Sequence, residues 1–186
     1  MKKLALLSLV SIAILTGCNS TANNIIVAPQ VFINKTPASS IEARLDVQDL
    51  RTASHIVEIF KEGEAAQLFS SQAFLQDIVD KTIKDAFQKS GISASQSSVK
   101  SIVVAIERAD IEVHQKLTKY TANNNIKLIA TVTNGDSTLT KAFTNKGNSN
   151  GILNADLAVL ERDFNQQFGQ LISQLAQDSE IHSFLR

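Results

Sequence analysis

Apolar and polar side chains alternate along three segments of the chain, residues 41–48, 111–117 and 126–132. A period of two predicts half-buried β-strands. Residues 55–60 have the composition of a shorter strand, and the nearly continuous apolar run 99–106 suits a strand buried on both faces. The pattern therefore predicts a sheet with residues 99–106 as a central strand.

Turn residues mark where the chain is expected to leave these strands. Asn134-Gly135 follows the third alternating segment and is the strongest short hairpin signal, with residues 137–143 as the returning strand. The asparagine run 123–125 predicts another turn. Gly147–Gly151 (GNSNG) predicts a loop, and the sheet is therefore expected to end there.

Apolar residues spaced three and four apart predict two long helices, at about residues 72–90 and 153–177. Gly91 stands where a C-terminal helix glycine belongs, and Asp178 or Ser179 can cap a further short turn. Strand clusters that are each followed by a long helix predict an α+β fold. We expect a mostly antiparallel sheet with the two long amphipathic helices packed on one face.

The apolar residues 25–33 form a separate segment interrupted by Pro29, which lacks the N–H that a strand ladder needs. The segment is expected to be an edge strand or an extended piece docked on the domain. Docking is favoured because exposing these side chains to water is costly. Residues 19–24 would then be a tether at most about 20 Å long; without docking, residues 19–40 would form a coil spanning about 25 Å.

The first eighteen residues, MKKLALLSLVSIAILTGC, have the form of an export signal. Lys2 and Lys3 precede an apolar run that is too short to be a good permanent membrane span. The ending Leu15-Thr16-Gly17-Cys18 resembles the lipobox of bacterial lipoproteins. We expect cleavage between Gly17 and Cys18 and acylation of Cys18.

Three parts of the chain follow from this interpretation. They are a lipoprotein signal peptide (1–17), a lipidated N-terminus with its tether (18–24), and a single periplasmic α+β domain (25–186). Cys18 is the only cysteine in the sequence, so its acylation leaves no thiol and no disulfide. Removal of the signal leaves 16 basic and 18 acidic residues, a net charge of about −2. Nucleic acid is therefore not an expected partner, and the membrane is expected to be reached through the acyl chains.

The residues that could support catalysis are scattered. His55, His114 and His182 lack the spacing of a helical metal site, and each is interpreted as a surface or capping histidine. The densest acidic group is Glu107, Asp110 and Glu112; with Arg108 inside it, a solvated and partly neutralised edge is favoured over an acid–base pair. No nucleophile elbow, Walker loop or metalloprotease motif is present. We expect no enzyme activity, no cofactor and no metal.

Several short motifs of the chain resemble the YajG-like family of bacterial lipoproteins. They are Ile25-x-Val27-x-Pro29, Asp49-x-Arg51-Thr52, Ala109-Asp110, Ile129-Ala130-Thr131 with Asn134-Gly135, and Asp178-Ser179-x-Ile181-His182-x-Phe184. The resemblance implies a lipoprotein of the Gram-negative outer membrane with no assigned activity. Asn19 and Ser20 resemble a signal for sorting to the outer membrane, since an Asp after the cysteine resembles the signal for retention in the inner membrane.

Three functions remain as alternatives at this point. The favoured one is a non-catalytic envelope protein that presents a sheet surface or edge to a protein partner. The second is a carrier of a small ligand or lipid, which would need a large apolar cavity between sheet and helices. The third is an envelope hydrolase, which would need two or three residues of one set to converge in one cleft: His55, His114, Glu107, Asp110 and Glu112.

Overall fold

The computed structural model describes residues 24–34 and 40–186. These residues form eight strands and three helices, which we number in chain order. The elements are β1 (Asn24–Ile25), β2 (Ile41–Asp49), β3 (His55–Lys61), β4 (Gln67–Ser71), α1 (Leu75–Ser90), β5 (Ile92–Ala94), β6 (Ser101–Gln115), β7 (Lys119–Asn134), β8 (Ser137–Ile152), α2 (Leu157–Ala176) and α3 (Ser179–Phe184).

The long strand β6 holds the sheet together. Along one side, β2 pairs in parallel with its first half and β3 pairs in parallel with its second half, so β2 and β3 run end to end. Along the other side, β7 pairs antiparallel with nearly all of β6, and β8 pairs antiparallel with β7. The shorter strands β5, β4 and β1 extend the sheet from β2, β3 and β4 respectively.

The expectation of a mostly antiparallel sheet is wrong, because the sheet is mixed. Four of the seven strand pairings among the described residues are parallel. The chain passes through α1 between β3 and β6, and a crossover of this kind returns it in the same direction. Alternation of side chains shows that a strand has one buried face, but it carries no information about the direction of the neighbouring strand.

The long strands also contain residues that were expected to be turns. Predicted strands 99–106 and 111–117 are joined in β6, where a bulge at Glu107 absorbs the change of register. The predicted turn at 123–125 lies inside β7, and the predicted loop at 147–151 lies inside β8. Continuous pairing with a neighbouring strand overrides the local preference of asparagine and glycine for turns.

The hairpin and both long helices are confirmed, with shorter helix ends. Gly135 has φ +60° at the first central position of the turn between β7 and β8, as in a type II′ hairpin. Gly91 ends α1 in the left-handed conformation (φ 97°). The Asp178 carboxylate caps α3 by accepting hydrogen bonds from the backbone N–H groups of Glu180 and Ile181.

The core lies between the sheet and the two long helices. Its largest fully buried side chains include Phe87 of α1 and Phe164 and Phe168 of α2, and the two rings of α2 pack edge to face with centroids 5.5 Å apart. These phenylalanines meet the inward-facing apolar residues of β2, β6 and β7. Within the described ranges, none of the helices has both the length and the apolar character needed to cross a bilayer.

The segment from Asn24 to Asn34 docks on the domain, as favoured from the sequence. Ile25 and Val27 are buried in the core. Four backbone N–H groups of the segment donate hydrogen bonds to side chains along α2 and to Gln177, the residue after it: Ile26 to Glu161, Ala28 to Asn165, Phe32 to Ser173 and Asn34 to Gln177. The spacings match because two extended residues advance about 6.6 Å and four helical residues about 6 Å.

Candidate functional site

The residues between β2 and β3 form a junction opposite the bulge of β6, and we call residues 50–54 and 107–110 together the β2–β3 junction. Arg51 organises it: its guanidinium donates two hydrogen bonds to Asp49, at 2.9 and 2.8 Å, and its Nη1 lies 3.4 Å from the His55 carbonyl oxygen. The Arg51 side chain is 7% exposed. It therefore fixes the path of the chain from β2 into β3.

Burial raises the pKa of Asp49, but hydrogen bonds from Arg51 and its charge have the larger combined effect, so this pKa lies below its ordinary value. The Asp49-x-Arg51-Thr52 motif therefore has a structural role. Ala109-Asp110, a second motif of the resemblance, lies across the junction and lines the same cleft as Arg51 and Thr52. The fold thus brings together two motifs that are far apart in the sequence.

Four of the residues considered for catalysis line this cleft, which has a volume of about 410 Å³: His55, Glu107, Asp110 and Glu112. Their polar groups are engaged locally. Glu107 pairs with Lys127 at 2.6 Å, Asp110 with Arg108 at 2.6 Å, and Glu112 with His114 at 2.6 Å, while His55 lies 3.6 Å from Glu58.

Hydrogen bonding to Asp110 raises the pKa of Arg108, which fits the expected neutralised edge. Within residues 24–34 and 40–186, no group of three or more His, Cys, Asp or Glu side chains could hold a metal ion. The arrangement supports an ion-paired surface of the sheet. It does not assemble a nucleophile with a base and a charge-stabilising donor.

The other two histidines do not line the cleft, although His114 contacts Glu112 at its border. The exposed ring of His114 stacks on Phe60, with centroids 5.2 Å apart. His182 is buried, and its Nε2 lies 2.9 Å from the carbonyl oxygen of Ala176, the last residue of α2. His182 is therefore a capping histidine, in agreement with one of the two roles expected from the sequence.

A small polar pocket between the sheet and α2 was missed by the sequence analysis. Asn124 is only 6% exposed, and neither of its side-chain polar atoms has a hydrogen-bond partner among the described residues; the same holds for Oε1 of Gln167. Both residues line a cavity of about 130 Å³. The Gln167 amide lies against Gly147, where a Cβ would come within 2.5 Å of its Nε2. Asn124 was missed because it belongs to the asparagine run 123–125, which the sequence analysis interpreted as a turn.

The face of β6, β7 and β8 opposite the helices carries mainly polar side chains. On β8, alternate residues from Thr138 to Asn150 are exposed, and threonine and asparagine dominate among them. Ala105, Ile129 and Ala142 stand side by side across the three strands and form a small apolar patch. This is the sheet surface that the helices leave uncovered.

The strand β8 is also a long edge. It pairs with β7 over sixteen residues without a bulge, and in the described part of the chain it pairs with no second strand. It contains no proline. Every second residue of an edge strand directs its N–H and C=O away from the sheet, which makes such a strand a template for another chain.

Gly17, Cys18, Asn19 and Ser20 lie outside the described residues, so cleavage, acylation and sorting remain predictions.

Comparison with known proteins gives a consistent family. Residues 29–186 match the family model described as "Uncharacterized lipoprotein". The chain is 21% identical to the uncharacterized lipoprotein YajG of Escherichia coli K12, over 100% of this chain and 98% of that protein. In fold it is similar to the crystal structure of protein XCC0632 from Xanthomonas campestris, with a TM-score of 0.59 and 16% identity over 82% of this chain and 92% of that chain.

Proposed function

The chain belongs to the family of uncharacterized lipoproteins, and from this premise we propose that it is a non-catalytic interaction module of the cell envelope. Acyl chains on Cys18 anchor it in the outer membrane of a Gram-negative bacterium, on the periplasmic side. The lipobox-like ending at Cys18 supports the anchor, and Asn19 with Ser20 supports the outer membrane. The domain then binds a protein partner through its sheet.

The observation that carries the proposal is the long edge of β8. Edge strands in soluble proteins are usually short or protected by bulges, proline or inward-pointing charge. The other edges of this sheet follow the rule, because β1 has two residues and β5 has three. β8 has sixteen. Of its two lysines, Lys141 is engaged by Asp178 and Glu180 at the start of α3, and Lys146 is exposed on the uncovered face of the strand.

The partner chemistry follows from this edge. An extended segment of another protein would add to β8 through main-chain hydrogen bonds, which supply affinity. On the uncovered face, its alternate side chains would lie beside Ala142, the member of the apolar patch on β8, and beside the neighbouring threonines and asparagines of that strand. The partner segment is therefore expected to be extended, largely uncharged and β-branched.

The structure does not favour the carrier alternative. Ligand pockets for small molecules have volumes of roughly 300–1,000 Å³, whereas the cavity between the sheet and α2 is about 130 Å³. The remaining interior is occupied by side chains such as Phe87, Phe164 and Phe168. The larger clefts lie at the surface. The one beside α2, of about 560 Å³, runs between polar side chains of that helix and the docked segment, whose exposed Ile26 and Phe32 line it.

The edge is tested with a photo-crosslinking residue at Thr144, on β8, and a matched one at Gln76, on the exposed side of α1. We expect one recurrent product from Thr144 in intact cells and none from Gln76. The variant Thr140→Pro removes an outward-directed N–H and leaves the β7 ladder intact, so it should abolish the product. Equal amounts of product from both positions, or a product that Thr140→Pro does not reduce, would contradict binding at the edge of β8.

The anchor has its own test. Wild-type protein should incorporate labelled palmitate and fractionate with the outer membrane, and Cys18→Ser should do neither. Palmitate incorporation together with fractionation in the inner membrane would support acylation of Cys18 and contradict sorting to the outer membrane.

A further inference from the structure

One end of the sheet brings three strongly exposed apolar side chains close together. Leu117, in the turn between β6 and β7, is 98% exposed, and Ile152 and Leu153, at the end of β8, are 82% and 64% exposed. They are held together, because the Leu153 N–H donates a hydrogen bond to the Thr118 carbonyl at 3.0 Å. We call these three residues the apolar tip.

The backbone at the tip is also unusual. Leu153 has φ 62° and is the one non-glycine residue with positive φ among the described residues. This left-handed region is sparsely used by large side chains, and Gly or Asn normally occupies it. A leucine held there costs stability through its backbone, and its exposed side chain contributes little burial to offset that cost. Such an outlier points to a function for the side chain.

The backbone at Asn24 points, on its N-terminal side, toward the same end of the sheet. This direction follows because β3 runs toward the tip beside β6, β4 runs back from it, and β1 is parallel to β4. Asn24 pairs with Ser70, which pairs with His55 at the start of β3. From that level to Leu117 is about seven residues of strand, or roughly 23 Å.

The chain between the anchor and the domain has nearly the same length. Six residue steps separate Cys18 from Asn24, and they cannot span more than about 20 Å. An acylated Cys18 would lie at the level of the lipid headgroups. A connection of only six residue steps would therefore keep the domain against the bilayer. The direction of the chain at Asn24 then puts the tip, and not the opposite end of the sheet, nearest to the lipid.

We propose that the apolar tip inserts into the bilayer surface beside the lipid anchor, so that Leu117, Ile152 and Leu153 form a second membrane contact. This inference rests on the proposed anchor at Cys18. Three lysines (Lys61, Lys116 and Lys119) and two carboxylates (Glu62 and Glu64) surround the tip. The apolar contact therefore supplies most of the attraction, and the lysines place their ammonium groups at headgroup level. The sheet stands upright on the membrane, and the edge of β8 faces sideways into the periplasm.

The test uses the acylated mature protein in vesicles of phosphatidylethanolamine and phosphatidylglycerol. Leu117→Cys is labelled with an environment-sensitive dye; acylation of Cys18 leaves the introduced cysteine as the single free thiol. Matched labels are placed at Val99, which is 83% exposed at the opposite end of the sheet, and at Phe32, which is 70% exposed on the docked segment. We expect a blue shift and quenching by spin-labelled lipid at Leu117 alone.

The outcomes separate the two proposals. An acylated protein whose Leu117 label is not quenched overturns the tip contact and leaves the anchor intact. Quenching at Phe32 in place of Leu117 shows a domain lying on its side and also overturns it. A dye that is shielded but not quenched by spin-labelled lipid indicates a second copy on the tip. Absence of acylation overturns the anchor and, with it, this inference.

Discussion

The backbone of Gln30 lies directly on Gly169 of α2. A Cβ at residue 169 would sit 2.9 Å from the Gln30 carbonyl carbon and closer still to its oxygen. Gly169 occupies the middle of the series of α2 positions that hold the docked segment, at the one step where the backbones themselves meet. Real side chains essentially never make so short a contact, so docking depends on glycine here.

Gly169→Ala is therefore expected to undock residues 24–34. Alanine favours a helix over glycine by about 1 kcal/mol, but overpacking a tight contact costs roughly 1–3 kcal/mol, and buried Ile25 and Val27 would be lost with the segment. We expect a net loss of about 1 kcal/mol or more in urea unfolding and faster amide exchange at residues 26–34. Gln166→Ala, on the exposed side of the same helix, is the control and should leave both unchanged.

Arg51→Ala should destabilise the protein far more than Arg108→Ala. Both arginines pair with an aspartate two residues away, but the Arg51 side chain is 7% exposed and that of Arg108 is 55% exposed. Hydrogen bonds to a buried charged group contribute about 1.5–3 kcal/mol, whereas exposed ion pairs contribute about 0–1 kcal/mol. Chemical denaturation of the two variants measures the difference. Equal losses of stability in the two variants would show that the burial of the Arg51 side chain does not strengthen its ion pair.

The ion pair between Asp49 and Arg51 also makes the stability of the protein depend on pH. Because the pKa of Asp49 is lowered in the folded protein, its contribution is present above the ordinary aspartate pKa of about 4 and is lost as pH falls through the folded value. Unfolding followed from pH 7 downward should show a loss that is smaller in Asp49→Asn. A pH profile of Asp49→Asn that coincides with that of the wild type would contradict this assignment.

Asp178 has two separable roles at the start of α3. Its carboxylate caps the helix and also pairs with Lys141 of β8 at 2.7 Å. Asparagine is as good a cap as aspartate, and alanine costs about 1 kcal/mol at this position. Asp178→Asn should therefore lose little, mainly the ion pair, and Asp178→Ala should lose more in thermal unfolding. If the two variants are equally destabilised, the ion pair and not the cap is the important contact.

Asn124→Leu should raise the free energy of unfolding by about 1 kcal/mol, because it removes buried polar atoms that lack a protein partner and fills the polar pocket with apolar atoms. Asn123→Leu is the control on the other face of β7, where the side chain accepts a hydrogen bond from Asn148; it should give no gain. Destabilisation by Asn124→Leu would instead identify the pocket as a site for bound water or a small polar solute.

Features that depend only on the residues within one strand or helix could be predicted from the sequence. The alternation at 41–48 and the periodicities of the two long helices gave β2, α1 and α2, and the capping role of Asp178 was visible because a cap is a local feature. Docking of residues 25–33 could also be predicted, because the cost of exposing their apolar side chains does not depend on knowing the partner surface.

What could not be predicted depends on contacts between distant residues. β2 and β3 are both parallel to β6 because the chain crosses over through α1 before it enters β6. The alternation of side chains carries no information about this direction. Asn124 and Gly147 have the composition of turns, but they are cross-strand neighbours beneath Gln167. At the β2–β3 junction, the sequence indicated that Glu107 and Asp110 would be neutralised but did not show that Lys127, twenty residues away, pairs with Glu107.

The docked segment also determines how the domain responds to mechanical load. Residues 24–34 run along α2, with their hydrogen bonds to Glu161, Asn165, Ser173 and Gln177 in sequence. If the proposed anchor pulls on Asn24, the force is expected to act along this row, so that the hydrogen bonds are sheared together and do not break one after another. The attachment would then be strongest in the direction of the anchor.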